Sequence, residues 1–293
     1  MPDQWPSLRT LARLGRVSNL PTCASNVLVG GAIGALSTDS IDTSFLILAI
    51  VSALFLYFGG VALNDVMDAP IDSIDRSNRP IPEGKISRPH ALWISLLSLG
   101  AGLAVAASIS MASLLVAVAI VLCIGLYDVL HKRLIWSAVF MGLCRGGLYV
   151  LGASSMLWPV PGSTLLIFAL AITIYVTFLT ILARYEMRRP RRWHAYAGLL
   201  LPVPCLLPVY FVTETLHLWA WITGFLLILW ILRASLYLFP PHRRTDQAVL
   251  GWIGALSLID AFYLSILGQP ALILIAGACF LWTLIGHRYI SGT

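Results

Sequence analysis

Apolar stretches of about twenty residues follow one another along this chain with only short polar breaks between them. They run near 18–36, 44–63, 91–108, 111–129, 136–154, 164–183, 196–212, 216–238, 249–267 and 270–287. About 20 apolar residues is the length that crosses the hydrocarbon core of a bilayer as a helix. Lipid offers no partners for backbone N–H and C=O groups, so each stretch must satisfy its own. The pattern predicts an all-α membrane protein, a multi-pass bundle of nine or ten transmembrane helices. The uncertain member is 196–212, the shortest stretch and the richest in proline. Residues 1–17 are polar and basic and carry Trp5, which reads as an interfacial segment leading into the first span. Residues 1–293 read as a single integral-membrane domain.

Composition agrees: 59% of the residues are hydrophobic and 11% charged, with a mean hydropathy of +0.87. The few charges also give an orientation. Of 19 Lys and Arg residues, all but Arg145 and Arg233 lie before the first span or in the connections after even-numbered spans. The connections after odd-numbered spans carry only Asp39, Asp42 and Glu214. Basic residues stay on the cytoplasmic side, so both termini and the even-numbered connections are expected there, in a bacterial-type inner membrane. The net charge of +6 then follows from topology and contact with anionic lipid, and nucleic acid is not an expected partner. The cysteines (Cys23, Cys123, Cys144, Cys205, Cys279) sit singly in apolar segments without a CxxC pair. They read as small hydrophobes, neither a disulfide framework nor a zinc site.

One break is unlike the others. "LNDVMDAPIDSIDRSNRPIPEG", Leu63–Gly84, holds five of the thirteen acids: Asp65, Asp68, Asp72, Asp75 and Glu83. Asn64, Asp68 and Asp72 are four apart and Asp65 is three before Asp68, a spacing that places them along one face of a helix. Pro70 predicts a helix break near Ala69, with the last acids curling over a cavity mouth. Clustered carboxylates at a membrane boundary repel one another and lose solvation. A divalent cation relieves both problems, and magnesium takes one or two carboxylates together with water and substrate phosphates.

These residues carry a family resemblance. Asn64-Asp65-x-x-Asp68-x-x-x-Asp72 resembles the NDxxDxxxD motif of the UbiA superfamily of intramembrane prenyltransferases. "DRSNRPIPEG" resembles that family's continuation, "RVSNLPT" (Arg16–Thr22) its opening, and "YDVLHKR" (Tyr127–Arg133) its tyrosine-and-lysine loop. The likeness runs from about residue 9 to residue 190. It implies a UbiA-like fold with its acidic and basic loops on the cytoplasmic face, and Mg2+ as cofactor held by Asn64, Asp65, Asp68, Asp72 and Glu186. It further implies catalytic roles for Asp68, Asp72, Lys132, Arg184 and Glu186. Contacts to diphosphate or acceptor are implied for Arg16, Asn19, Asn26, Arg79, Tyr127, Lys132, Arg133, Arg145, Arg184 and Arg188. The implied partners are a prenyl diphosphate, a small electron-rich acceptor and the bilayer. Metal and basic residues would stabilise the departing diphosphate, and a dry pocket would protect the allylic cation from water. Tyr57, Phe58, Tyr149 and Tyr175 offer aromatic faces to that cation.

The chain departs from the family after the sixth span, where a second motif, DxxxD, is usual. Here the segment reads "ILARYEMRRPRRW", with Glu186 as its single acid. Either Arg184 and Arg188 hold the diphosphate in place of a second metal, or the protein binds or exports a prenyl lipid with little turnover. "ARYE", together with "MGLCRGGLYVLG" (Met141–Gly152), resembles the UbiA-like EboC branch. A transporter would show internal repeats and helices broken at the midplane, and no repeat is found. Two charges lie mid-way along spans, Arg145 in the fifth and Asp260 in the ninth, and both need partners or a polar cavity. Arg145 is expected at the acceptor or diphosphate, and Asp260 in a pair with Arg233 or a polar helix contact. The runs "NVLVGGAIGA" and "LGAGLAVAAS" read as surfaces for close helix packing.

Overall fold

Four of the helices begin where a small polar residue accepts from an unpaired backbone N–H. Ser7, Asp42, Ser87 and Ser110 each do so at an N-terminus, which satisfies donors that helix geometry leaves open. The computed structural model describes residues 6–36, 41–156, 162–184, 192–212, 216–242 and 244–290. The short α1 (Leu8–Leu14) leads into α2 (Leu20–Ala35), α3 (Thr43–Asp75), α4 (Arg88–Ile109), α5 (Met111–Leu130), α6 (Ala138–Ser154) and α7 (Gly162–Ala183). Three short pieces follow: α8 (Arg192–Leu199), α9 (Pro202–Cys205) and α10 (Leu207–Val212). The chain continues through α11 (Leu218–Leu236), α12 (Thr245–Ile266) and α13 (Pro270–Tyr289).

Among the described residues nine segments are long and apolar enough to cross a membrane. Large side chains such as Trp93, Leu97, Leu122, Phe225 and Trp282 project outward from them. Such an apolar exterior belongs against lipid: the protein is an integral, multi-pass membrane protein. The segment Trp193–Phe211 counts as one of the nine but is broken into α8, α9 and α10 where Pro202, Pro204 and Pro208 remove backbone donors. α2 is not among the nine, because its 16 residues give a length of only about 24 Å. It lies at the centre of the bundle, against α3, α6, α12 and α13. α2 and α6 cross so closely that a Cβ on Gly30 would overlap the Tyr149 carbonyl, and one on Gly152 the Val27 carbonyl. The expected packing role of the small-residue run in α2 is met at this crossing. In α12 72% of the most apolar window is buried, against 11% in α13, so α12 is an inner helix and α13 an outer one.

The structure corrects the expected break in α3. The helix runs unbroken from Thr43 to Asp75 with Pro70 inside it. A proline at position 70 leaves the carbonyl of Val66 without its helical donor. Arg88 Nε supplies one at 3.0 Å, and Lys132 Nζ donates to the neighbouring Met67 carbonyl at 2.9 Å. At 33 residues, α3 is about 50 Å long, some 20 Å more than the hydrocarbon core requires. The surplus holds the acidic segment.

Asp260 is also settled. It is fully buried and accepts from Ser25 Oγ at 2.5 Å, Tyr149 Oη at 2.5 Å and Asn26 Nδ2 at 2.8 Å. Its contact is thus the polar helix contact, and Arg233 lies instead over the ring of Trp230, 5.2 Å from its centroid.

Candidate active site

Because α3 continues past Pro70, Asp65 and Asp72 fall two turns apart on one face, and both are buried. After Asp75 the chain turns back. Arg13 donates to Glu83 at 2.7 Å and to the Asn78 carbonyl, pinning the returning loop to α1. Lys85 and Arg13 hold the Glu83 carboxyl below the usual carboxylate range. The loop delivers Arg79, whose Nη1 lies 2.6 Å from Asp65 Oδ1 and 3.0 Å from Asp72 Oδ2. Arg16 Nη2 lies 3.2 Å from the same Asp65 oxygen. Its backbone is left-handed, φ 42°, a conformation that costs a non-glycine residue about 1–3 kcal/mol and recurs at functional sites.

The third acid, Asp68, is met by the end of α5. His131 Nε2 lies 3.1 Å and Lys132 Nζ 3.0 Å from its Oδ1. His131 Nδ1 faces the Tyr127 carbonyl at 3.1 Å, and its ring stacks on Tyr127 with centroids 5.0 Å apart. Burial opposes a charged ring, but the hydrogen bond and charge of Asp68 outweigh it, so the His131 pKa lies above the ordinary histidine value. Asn64 Nδ2 donates to Asp128 Oδ1 at 2.9 Å.

Beside this face lies a cavity of about 200 Å³. It is smaller than the ~300–1,000 Å³ of pockets for drug-sized ligands. Its wall includes the polar side chains of Arg16, Asn19, Asn64, Asp128 and Arg145, and is otherwise mainly apolar, from Leu56, Ile120, Leu148, Val176 and Leu179 among others. The apolar part draws on both hydrophobic clusters, one built on α2–α6 and one on α7, α11 and α12. Arg145 donates to Asn26 Oδ1 at 3.0 Å and to Cys23 Sγ at 3.3 Å, and stands 5.3 Å from the centroid of the Tyr57 ring. Among the described residues no group of three or more His, Cys, Asp or Glu converges so as to hold a metal ion. Asp65, Asp68 and Asp72 are instead engaged by Arg16, Arg79, His131 and Lys132.

A membrane bundle with paired acids and bases beside an apolar cavity can now be set against known proteins. The sequence model of the UbiA prenyltransferase family matches residues 24–266. The chain belongs to that family. The digeranylgeranylglyceryl phosphate synthase of Thermococcus gammatolerans is 38% identical over 106 residues, covering 36% of this chain and 37% of that one. The protein of the same name from Methanococcus aeolicus is 28% identical over 142 residues, covering 48% and 50%. The matched stretches therefore span half or less of these relatives' lengths. A solved UbiA homolog from Archaeoglobus fulgidus bound to DMAPP and Mg2+ shares the fold, with a TM-score of 0.61 at 17% identity over 88% of this chain and 99% of that one.

Within this UbiA-family fold, the expected residues divide into groups. Arg16, Asn19, Asn64, Tyr127 and Arg145 line the cavity. Asp65, Arg79 and Asp72 are linked to Arg16 through the ion pairs above, while Asp68 and Lys132 meet His131, whose ring stacks on Tyr127. Asn26 is fully buried behind Arg145, bonded to both Arg145 and Asp260. Arg133 is exposed. Arg184 donates to the carbonyls of His131 and Leu134, the latter at 3.0 Å, and to Ser137 Oγ at 3.3 Å, so it braces the α5–α6 loop. Glu186 and Arg188 lie outside the described residues. Two residues were overlooked. Asp128 is a charge inside an apolar span, the same signal that singled out Arg145 and Asp260. His131 had no such signal, since histidines are common at span ends.

Proposed function

We propose that this protein transfers a prenyl group from a prenyl diphosphate to a small, electron-rich acceptor, with Mg2+ as cofactor. The observation that carries this reading is the presence of oxygen donors and guanidinium groups in the wall of a mainly apolar cavity. Mg2+ requires hard oxygen ligands, one or two of them carboxylates, and Asn64, Asp65, Asp68 and Asp72 would provide them. Asp128 Oδ2, buried and without a hydrogen-bond partner among the described residues, fits the same need. When bound, Mg2+ would supply Lewis-acid neutralisation of the diphosphate. Arg16, Arg79 and Lys132, now held on carboxylates, would exchange them for phosphate oxygens, which suit the guanidinium fork. The apolar wall would exclude water from the reacting carbon. The relatives are named for digeranylgeranylglyceryl phosphate; for this chain the acceptor is proposed only as a class. The proposed orientation places both termini and the acidic segment on the cytoplasmic side.

A second reading, a prenyl-lipid carrier without turnover, draws support from Arg184, which is engaged with loop carbonyls rather than lining the cavity. One experiment separates the two. Purified protein is incubated with isotope-labelled prenyl diphosphates of several lengths, with and without Mg2+, and released diphosphate is measured. Transfer predicts metal-dependent release that Asp68→Ala abolishes. Retention of the labelled lipid without release would favour the carrier, and unchanged turnover in Asp68→Ala would remove the acidic segment from the chemistry.

A further inference from the structure

Asp128 differs from Asp65, Asp68 and Asp72 on α3. Asp65 is met by Arg16 and Arg79, Asp72 by Arg79, and Asp68 by His131 and Lys132. Asp128 is 4% exposed, lines the cavity, and forms no ion pair among the described residues. Its Oδ1 takes the bond from Asn64 Nδ2 at 2.9 Å, while Oδ2 is buried with no hydrogen-bond partner among the described residues. Buried polar atoms are rarely left in that condition, and each needs a physical account. Asn64 adds to the pattern. Its amide must turn NH2 toward the carboxylate, because two oxygens would repel there. That leaves Asn64 Oδ1 for another partner. Two uncommitted oxygens, one anionic and one neutral, thus stand on either side of one hydrogen bond at the cavity wall.

From this juxtaposition, and resting on the Mg2+-dependent reading above, we propose that Asp128 is a metal ligand, with Asn64 beside it, from an element that the family motif does not include. Mg2+ needs only one or two carboxylates when substrate phosphates and water complete its shell. A site of this kind therefore needs no cluster of three acids, and among the described residues there is none. It also gives the chain a second source of carboxylate, where the loop after α7 offers only Glu186 among its arginines. Arg16 and Arg145, which also line the cavity, supply the positive charge that would hold a diphosphate against such a metal.

The test uses the full-length protein in detergent, with Mn2+ as the spectroscopically visible stand-in for Mg2+ and inorganic pyrophosphate as the anion. Binding is read by electron paramagnetic resonance, independent of turnover. Asp128→Asn keeps the shape and the acceptor for Asn64 but removes the charge. It is expected to weaken Mn2+ binding about ten- to a hundredfold, in line with loss of a charge-assisted contact. Its thermal midpoint without metal should be unchanged or higher, because a buried unpaired charge has been removed. Binding equal to wild type in Asp128→Asn, with binding lost in Asp68→Asn, overturns the inference and leaves the proposed function standing. Wild-type binding in both variants removes the metal reading of the whole acidic face. Asn64→Ala, at a half-buried position, serves if Asp128→Asn does not fold; unchanged Mn2+ binding there overturns the inference as well.

Discussion

Arg79 reaches both Asp65 and Asp72, and Arg16 reaches the same oxygen of Asp65. These guanidinium groups neutralise acids that α3 alone would hold in repulsion. Arg184 works differently, on backbone carbonyls of the α5–α6 loop. Its loss would leave those acceptors without a charged donor, which costs about 1.5–3 kcal/mol for such contacts. Arg184→Ala is accordingly expected to speed amide exchange across residues 131–137, with Arg184→Lys a poor substitute because one ammonium cannot span the same acceptors. Hydrogen exchange by mass spectrometry checks this, and unchanged protection in the alanine variant would return Arg184 to the diphosphate. At this scale the sequence was only half legible. The acids announce themselves by spacing along one helix face. Their partners do not, because Arg16 lies 49 residues from Asp65 and His131 63 residues from Asp68.

At the level of elements, the continuity of α3 through Pro70 depends on a residue outside the helix. Arg88 Nε replaces the missing donor to the Val66 carbonyl. Arg88→Ala should therefore destabilise the protein by about 1–3 kcal/mol, the cost of leaving a buried acceptor unmet. Pro70→Ala restores a backbone N–H at that place, so the double variant is expected to lose less than Arg88→Ala alone. Thermal unfolding of the four proteins measures the coupling, and strict additivity would refute the exchange of donors. Proline statistics foresaw a break here because they describe the isolated chain, and a donor 22 residues further on is invisible to them. Where the signal is local the reading succeeds. Apolar runs locate every long helix, and the three prolines of 196–212 already mark the one segment that is divided.

Considered whole, the charge pattern of the sequence leads us to expect the basic loops, and the overhang of α3 with them, at the cytoplasmic end of the bundle. The proposed sidedness can be checked in a background without native cysteines. A cysteine at position 44 is expected to react with an impermeant reagent from outside, and one at position 85 only after the cytoplasmic face is exposed; the reverse pattern would invert the substrate's route of entry. The polar contacts around Asp260 have a different implication, for biogenesis. Ser25 and Asn26 lie 235 and 234 residues ahead of Asp260 in the chain, and Tyr149 lies 111 ahead. A nascent chain leaving the ribosome in order must keep α2 reachable until α12, its inner neighbour, has been synthesised. The centre of the bundle is therefore closed late by a helix near the C-terminal end, and a product stalled before Asp260 carries its unmatched polar groups as a mark that membrane quality control can read.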